Sequence, residues 1–269
     1  MVTKPLKELM SLKGRVALIT GGAGHIGSAI ADGFAELGAR VAIADLSAEK
    51  SDEVAAAIAK RWSGKAKGFS VDLENTEQTA ALPAKVGKEF GCLDILVNCA
   101  ALVGTNDLKG WNVPFAEQSV ETWRRAMEVN LTAPFVLSQA ATDLLRESGH
   151  GSIINVSSIY GITGPDWRLY DGTKLGNPAA YAASKGGLVQ LTRWLATTLA
   201  PDIRVNAIAP GGIERNTLEP FRSRYLARTP LGRMGREDDI KGSVAFFASD
   251  LSAYITGQVV AIDGGWTAW

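Results

Sequence analysis

Apolar and amphipathic segments alternate along most of the chain. Short runs dominated by Val, Ile, Leu and Ala have the length and composition of buried strands, and longer segments have the apolar period of helices. The predicted strands are 15–20, 39–44, 66–71, 93–97, 152–158, 203–208 and 258–262, and the predicted helices are 28–37, 48–62, 75–90, 119–145, 179–199 and 238–248. This alternation predicts an α/β Rossmann fold, a doubly wound parallel sheet of about seven strands with helices on both faces.

No composition shift, repeat or low-complexity tract interrupts the pattern, so residues 1–269 are expected to form a single domain. Pro83 is expected to kink or split the helix at 75–90 because proline lacks an N–H group. Segments 101–118, 159–178 and 212–232 follow predicted strands. Loops at the carboxyl ends of parallel strands form the binding pocket of such sheets, so these segments are predicted to be substrate-pocket loops.

The first predicted strand leads into a glycine-rich turn, Gly22-x-Gly24-x-x-Gly27, and then into a helix. In this context the glycines let the backbone approach a dinucleotide pyrophosphate, which the helix N-terminus then binds. Asp45 ends the next predicted strand, where a carboxylate would bind the adenosine ribose and repel a 2′-phosphate. The sequence therefore predicts NAD in preference to NADP. The alternative role of Asp45 is to cap the helix that begins near Ser47.

The chain has 28 Lys and Arg and 28 Asp and Glu residues, a formal net charge of +0. This balance predicts neither a nucleic-acid nor a membrane-surface partner. Cys92 and Cys99 fit neither a zinc pattern nor a disulfide framework, so they are expected to be small core residues, and no metal site is predicted. No apolar run approaches a membrane span, and residues 1–15 lack a signal-peptide hydrophobic region, so a cytoplasmic location is expected.

Two Tyr–Lys pairs have a spacing of one helical turn: Tyr181 with Lys185, and Tyr170 with Lys174. A lysine ammonium close to a phenol favours ionisation, so such a pair can exchange a proton with an alcohol near neutral pH. Glycines and prolines within 161–178 disfavour a helix around Tyr170, whereas Tyr181 lies at the start of a long predicted helix. The context favours Tyr181 and Lys185 as the reactive pair.

Further motifs follow one another along the chain: Thr20-Gly21-x-x-Gly24-x-x-Gly27, Asp72-Leu73, Asn98-Cys99-Ala100-Ala101, Asn130, Ser158, Pro210-Gly211 and Asp263-Gly264-Gly265. With Tyr181 and Lys185, they resemble the short-chain dehydrogenase/reductase family, in its single-domain branch with an insertion before the catalytic tyrosine. The match covers roughly residues 12–266. The resemblance implies the catalytic residues Asn130, Ser158, Tyr181 and Lys185. It implies a cofactor site formed by Gly21, Gly24, Ile26, Gly27, Asp45, Asp72, Leu73, Asn98, Ala100, Tyr181, Lys185, Pro210, Gly211 and Ile213.

The resemblance also implies a reaction, which is reversible hydride transfer between an alcohol carbon and a nicotinamide. Tyr181 would exchange the hydroxyl proton, and Lys185 would lower the pKa of Tyr181 and bind the nicotinamide ribose. Ser158 would orient the substrate oxygen. A helix kink at Asn130 would hold a water that links Lys185 to solvent.

Two features depart from the common form of the family. His25 stands where glycine is usual, which gives the turn the spacing of the family's extended branch; His25 is expected to be a loop residue and not a catalyst. Ser158 and Tyr181 are 23 residues apart, whereas about a dozen is usual in the family. The excess lies in 161–178, and Tyr170 stands near the usual offset.

The predicted pocket loops offer a mixed polar and aromatic set: Trp111, Trp167, Arg168, Tyr170, Asp171, Asn177, Glu214 and Arg215. Such a set suits a sugar, a polyol or a hydroxy acid. The alternatives are a 3-oxoacyl-carrier-protein reductase-like enzyme, which normally favours NADP, and a non-catalytic dinucleotide sensor. The resemblance implies a homo-oligomer, a tetramer or a dimer, with Trp266 and Trp269 as candidate contacts.

Overall fold

The computed structural model describes residues 3–103, 106–173 and 175–269, and Lys174 therefore lies outside the described residues. Within these ranges, seven strands form one sheet in the order β3-β2-β1-β4-β5-β6-β7, and every neighbouring pair is parallel. The strands are β1 (Val16–Thr20), β2 (Arg40–Asp45), β3 (Ala66–Ser70), β4 (Ile95–Asn98), β5 (Ser152–Val156), β6 (Arg204–Pro210) and β7 (Val259–Ile262). The predicted α/β fold is confirmed.

The helices that the apolar period predicts are present, with several boundaries shifted, and short helices at 6–10 and 221–228 are additional to them. They are α1 (Leu6–Met10), α2 (His25–Glu36), α3 (Ala48–Trp62), α4 (Thr76–Phe90), α5 (Val120–Met127), α6 (Ala133–Glu147), α7 (Ala179–Leu199), α8 (Phe221–Arg228) and α9 (Glu237–Ala248). Side-chain caps start three of them: Ser47 accepts from the N–H of Lys50, Asn75 from Gln78 and Ser119 from Thr122. Pro83 lies inside α4 and does not split it. A π-helical turn, Glu128–Thr132, interrupts the helix predicted at 119–145.

The core lies on both faces of the sheet. Successive residues of a strand point to opposite faces, so Ile19 of β1 packs with Phe34 of α2 on one face and Leu18 packs with Val86 of α4 on the other. Burial of each large apolar side chain stabilises the fold by about 1.5–3 kcal/mol. Apolar side chains on both faces explain why the strand segments are continuous apolar runs and not alternating ones.

The chain order of the strands reverses beside β1, whose neighbours are β2 on one side and β4 on the other. A crevice opens at the carboxyl ends of the strands at such a switch point. The glycine-rich turn follows β1, and the segment 98–101 begins at the end of β4. Ser158 lies two residues beyond β5 and Gly211 directly follows β6, so the fold places the predicted site residues along one edge of the sheet.

The burial of the two cysteines and of Trp266 tests two expectations drawn from the sequence. Cys92 and Cys99 are partly buried and pack against the core, as expected. Trp266 is a poor candidate for an intersubunit contact, because it is 1% exposed and its ring stacks on Tyr225, with 6.1 Å between ring centroids. Trp269 remains exposed. No helix among the described residues combines the length and apolar character needed to cross a bilayer.

Candidate active site

The turn between β1 and α2 is packed too tightly for side chains at its glycines. Gly21 has a φ of 62°, and a Cβ on Gly27 would lie 2.1 Å from the carbonyl oxygen of Gly21. α2 begins at His25, and no side chain caps it at Gly24. His25 is thus the exposed first residue of a helix and not a loop residue. The uncapped N-terminus leaves N–H groups available for a pyrophosphate, so the turn fits a dinucleotide.

A cleft of about 410 Å³ extends from this turn along the carboxyl ends of β1, β2 and β4. Eight of the predicted cofactor residues line it: Gly21, Gly24, Ile26, Gly27, Asp45, Asp72, Leu73 and Ala100. The other six predicted cofactor residues are not part of its wall among the described residues: Asn98, Tyr181, Lys185, Pro210, Gly211 and Ile213. The cleft therefore corresponds to the adenosine and pyrophosphate half of the predicted site.

Asp45 lies at the wall of this cleft, partly exposed at the end of β2. One carboxylate oxygen accepts from the N–H of Ala23 at 3.1 Å and the other from the N–H of Leu46 at 2.8 Å. The carboxylate thus ties the glycine-rich turn to the end of β2. Asp45 does not cap α3, because Ser47 fills that role.

Arg215 also lines the dinucleotide cleft, although the sequence suggested a place among the substrate loops. Its Nε donates to Glu237 at 3.1 Å, and its side chain is 42% exposed. A guanidinium in this position complements a phosphate. The sequence offered no sign of this placement, because it depends on the path of the chain after β6. This path is set by a contact between distant residues, the backbone pairing of Ile213 with Gly235.

Asn98, predicted to contact the cofactor, lies within the sheet. Its amide nitrogen donates to the side chain of Asn155 at 2.8 Å, whose own amide donates to Thr192 at 2.9 Å. All three side chains are at most 2% exposed. Asn98 thus holds β4, β5 and α7 together beneath the cleft. Sequence reasoning missed Asn155 and Thr192, because buried polar pairs across a fold leave no local pattern.

Ser158, Tyr181 and Lys185 come together at the carboxyl end of β5. Ser158 hydrogen-bonds the phenol of Tyr181. The Lys185 ammonium lies 5.9 Å from the centroid of the Tyr181 ring and donates to the carbonyl of Val156 at 2.7 Å. The close approach of this loop to α7 depends on Gly161, since a Cβ there would lie 2.7 Å from the carbonyl oxygen of Lys185.

The electrostatics of this group differ from the sequence-based expectation. Burial raises the pKa of Tyr181, and the hydrogen bond from Ser158 only partly opposes this shift. Burial also lowers the pKa of Lys185 to about 8. The expected lowering of the Tyr181 pKa by Lys185 is therefore not found, because desolvation of the buried phenol dominates its pKa.

Asn130 lies in the π-helical turn and is completely buried. Its oxygen accepts from the N–H of Leu102 at 2.7 Å, and its amide nitrogen donates to the carbonyl of Leu102 at 3.0 Å and to Ser184 Oγ at 3.1 Å. The Ser184 hydroxyl in turn donates to the carbonyl of Tyr181 at 2.9 Å. The irregular helix at Asn130 is as predicted, and its hydrogen bonds fix the loop after β4 to the helix of Tyr181. The predicted water between Lys185 and solvent stays a prediction.

The competing tyrosine, Tyr170, has a different environment. It follows a 3₁₀ turn, Trp167–Leu169, and its hydroxyl lies 2.6 Å from that of Tyr160. Burial raises the pKa of Tyr170 to about 12. Since Ser158 contacts Tyr181 and Tyr170 is engaged by another phenol, the geometry favours Tyr181 as the proton-transfer residue.

A second cavity, of about 720 Å³, lies between the loop before α5, the segment 165–178 and the start of α7. Four of the residues predicted for the substrate pocket line it: Trp111, Trp167, Tyr170 and Asn177. Asn177 is only 6% exposed, yet neither its amide nitrogen nor its oxygen has a hydrogen-bond partner within the part of the chain that the structure describes. An unpaired buried polar group costs about 1–3 kcal/mol.

The remaining residues predicted for the pocket lie elsewhere. Arg168 pairs with Asp166, and Glu214 pairs with Arg222. The segment 212–232 contains α8 and supports the second cavity from outside, since the ring of Phe221 lies 5.3 Å from that of Tyr170.

A glycine-turn cleft on a doubly wound sheet, next to a Ser–Tyr–Lys group, defines a dinucleotide-dependent oxidoreductase of alcohols and carbonyls. The chain belongs to the short-chain dehydrogenase/reductase family. A family model described as enoyl-(acyl carrier protein) reductase matches residues 21–267.

Relatives of several activities are similar over nearly the whole chain. Cis-4-hydroxycyclohexanecarboxylate dehydrogenase of Sinomonas cyclohexanicum is 37% identical over 94% of this chain and 97% of its own length. A 3-oxoacyl-acyl-carrier-protein reductase of Thermotoga maritima is 37% identical, over 95% and 99%. The structure of a gluconate 5-dehydrogenase from Burkholderia cenocepacia, in complex with NADP and tartrate, has a TM-score of 0.87 at 30% identity, over 98% and 100% of the two chains.

Proposed function

We propose that this protein is an NAD-dependent dehydrogenase that interconverts an alcohol and a ketone in a small polar substrate of the sugar, polyol or hydroxy-acid type. The observation that carries the proposal is the grouping of Ser158, Tyr181 and Lys185 beside the dinucleotide cleft. The mixed polar and aromatic second cavity beside α7 supports a substrate that carries hydroxyl groups.

The glycine-rich turn, Asp45 and Asp72 would hold the adenosine and pyrophosphate half of the cofactor, because they line the cleft. When bound, the nicotinamide ring supplies the hydride acceptor or donor. Asp45 supports NAD, since a carboxylate at the adenosine ribose repels a 2′-phosphate. Arg215 in the same cleft would bind a phosphate of the dinucleotide.

The side chains around Tyr181 provide the proton chemistry. During oxidation the phenolate of Tyr181 takes the hydroxyl proton of the substrate, and during reduction the phenol returns a proton to the carbonyl oxygen. Ser158 donates a hydrogen bond that positions the substrate oxygen. The ammonium of Lys185, when charged, would favour the phenolate of Tyr181, because a cation next to a phenol stabilises its ionised form.

The decisive experiment is a substrate panel of sugars, polyols and hydroxy acids with NAD⁺, repeated with NADP⁺, followed by the absorbance of the reduced nicotinamide. We expect turnover of at least one hydroxylated substrate, with a higher kcat/KM for NAD⁺. If no alcohol or carbonyl compound is turned over with either cofactor, although the protein binds dinucleotide, the proposal is wrong and the non-catalytic sensor becomes the better explanation.

The second candidate is reduction of a 3-oxoacyl thioester. The 37% identity to the Thermotoga maritima reductase supports it, whereas Asp45 opposes the NADP preference that normally accompanies this activity. Reduction of an acetoacetyl thioester with NADPH, at a kcat/KM above that of every polyol and sugar, would favour this candidate.

We also propose a homo-oligomer, a dimer or a tetramer, on the basis of the family. Light scattering coupled to size-exclusion chromatography tests this assembly directly. A monomer at micromolar concentration would contradict it.

A further inference from the structure

The second cavity contains a polar group that the fold itself does not satisfy. Asn177 lines this cavity, is 94% buried, and has no hydrogen-bond partner for either amide atom within the described residues. Buried polar side chains in folded proteins almost always have a partner, so a group that lacks one calls for a ligand or a functional explanation.

The neighbouring polar side chains are already engaged in holding the cavity wall. Gln118 accepts from the N–H of Ala179 at 3.1 Å and donates to the carbonyl of Val113 at 3.4 Å. The Thr173 hydroxyl donates to the carbonyl of Tyr170, and the Trp111 indole donates to the carbonyl of Val103, both at 2.8 Å. These hydrogen bonds do not involve the Asn177 amide, whose nitrogen and oxygen stay buried in the cavity wall without a partner among the described residues.

The cavity is linked to the reacting group on two sides. Tyr170, in its wall, hydrogen-bonds Tyr160, whose N–H donates to Ser158 Oγ at 3.2 Å. Trp111 packs in the same apolar cluster as Tyr181. Residues of the cavity wall therefore contact both Tyr181 and the loop of Ser158, which connects the cavity to the proposed proton-transfer group.

We propose that Asn177 is a specificity-determining residue that binds a hydroxyl group of an uncharged, hydroxylated ring, such as a cyclic polyol or a sugar. This inference rests on the proposed function. A hydroxyl both donates and accepts, so it pairs with the amide oxygen and the amide nitrogen of Asn177 in turn, and two neighbouring hydroxyls satisfy both at once. A carboxylate only accepts and leaves the amide oxygen unpaired. An apolar ring pairs with neither atom.

The aromatic residues of the wall complete this site. Trp111, Trp167 and Tyr170 offer flat apolar surfaces to the C–H groups of a ring. Such a cavity discriminates between hydroxylated rings and analogues without hydroxyl groups. An analogue that offers no partner to a buried hydrogen-bonding group of the site leaves that group unpaired and binds more weakly.

The test compares three ligands with the same six-membered ring: myo-inositol, cyclohexanol and cyclohexanecarboxylate. Binding is measured by saturation-transfer NMR, which needs no turnover, and kcat/KM is measured in parallel for the two alcohols. The variants are Asn177→Leu and Asn177→Ala, which remove the amide. Leu175→Ala is the matched control, because Leu175 lines the same cavity and has no polar side-chain atom.

We expect the wild-type protein to prefer inositol to both other rings, and both Asn177 variants to bind inositol about tenfold to a hundredfold more weakly. Leu175→Ala is expected to weaken all rings alike. NAD affinity, measured for the dinucleotide cleft that Asn177 and Leu175 do not line, reports that each variant is folded.

Preference for cyclohexanecarboxylate or cyclohexanol in the wild type, or an unchanged inositol affinity in folded Asn177 variants, overturns the inference. Inositol binding that depends on Asn177 without any redox turnover would leave this inference standing and refute the proposed dehydrogenase. The two failures are therefore distinguishable.

Discussion

The packing of the glycine-rich turn makes a quantitative prediction about two glycines of the same helix, Gly27 and Gly33. A Cβ on Gly27 would lie 2.1 Å from the carbonyl oxygen of Gly21, against 3.4–4 Å for an ordinary contact. Gly21 cannot simply move away, because it packs closely against Ala100: a Cβ built on Gly21 would lie 2.8 Å from the Cα of Ala100. By contrast, the nearest atoms to a Cβ on Gly33 would belong to the side chain of Lys241, at 3.6 Å, which is an ordinary contact.

Gly27→Ala must therefore displace backbone on both sides of the turn. Overpacking of this kind costs about 1–3 kcal/mol, and the rigid backbone contact places this case near the upper limit. Gly33→Ala replaces a helix-interior glycine without a clash, which stabilises a helix by about 0.5–1 kcal/mol. We expect the free energies of unfolding of the two variants to differ by about 3–4 kcal/mol.

The assay is urea unfolding followed by tryptophan fluorescence, combined with calorimetric titration of NAD⁺. Gly27→Ala is expected to lose at least tenfold in NAD⁺ affinity, because the helix N-terminus moves away from the pyrophosphate. Gly33→Ala is expected to bind as the wild type does. Equal stability and equal affinity in the two variants would refute the account of the turn.

Four further predictions follow from the site. Burial holds the pKa of Lys185 in the folded protein near 8, below its unfolded value, so the unfolded state binds more protons above pH 7.5 and stability rises with pH. In urea unfolding, the free energy of unfolding of the wild type should therefore increase by about 2 kcal/mol relative to that of Lys185→Met between pH 7.5 and 9.5. A difference that stays constant with pH would contradict this. Asp45→Ser should raise the kcat/KM ratio of NADP⁺ to NAD⁺ at least tenfold in steady-state assays, since it removes a repelling charge. Arg215→Gln should weaken NAD⁺ binding about threefold to tenfold, measured by calorimetry. The expected loss is modest because the side chain is partly exposed and water screens its interaction with a phosphate. Asn130→Ala should lower the free energy of unfolding by about 3 kcal/mol, because it leaves Leu102 with unpaired backbone groups.

Local pattern was enough to predict the elements that carry the site. α7 begins and ends where the apolar period of 179–199 places it, and β1 was evident as a continuous apolar run before a glycine-rich turn. These features depend on neighbouring residues, which a sequence displays directly. Helix context also separated Tyr181 from Tyr170, and the structure places Tyr181 beside Ser158 and Lys185.

Properties that depend on packing were not predictable in the same way. The spacing of Tyr181 and Lys185 says that they lie one turn apart, but it does not reveal that burial dominates both pKa values. The position of Arg215 in the dinucleotide cleft and the burial of Trp266 depend on contacts between distant segments. That the Asn177 amide lacks a partner among the described residues likewise follows only from the three-dimensional arrangement of its neighbours.

The most direct test of the account is single-turnover hydride transfer in Tyr181→Phe, with an alcohol that the wild type oxidises. Tyr254→Phe serves as the matched control, since Tyr254 is fully exposed at the surface. Loss of a general acid–base residue typically costs about 10²–10⁴-fold in rate. We predict a loss of this size in Tyr181→Phe, with NAD⁺ affinity within about twofold of the wild type and Tyr254→Phe unchanged. Full single-turnover activity in Tyr181→Phe, or its loss in Tyr170→Phe alone, would contradict the assignment of Tyr181 as the proton-transfer residue.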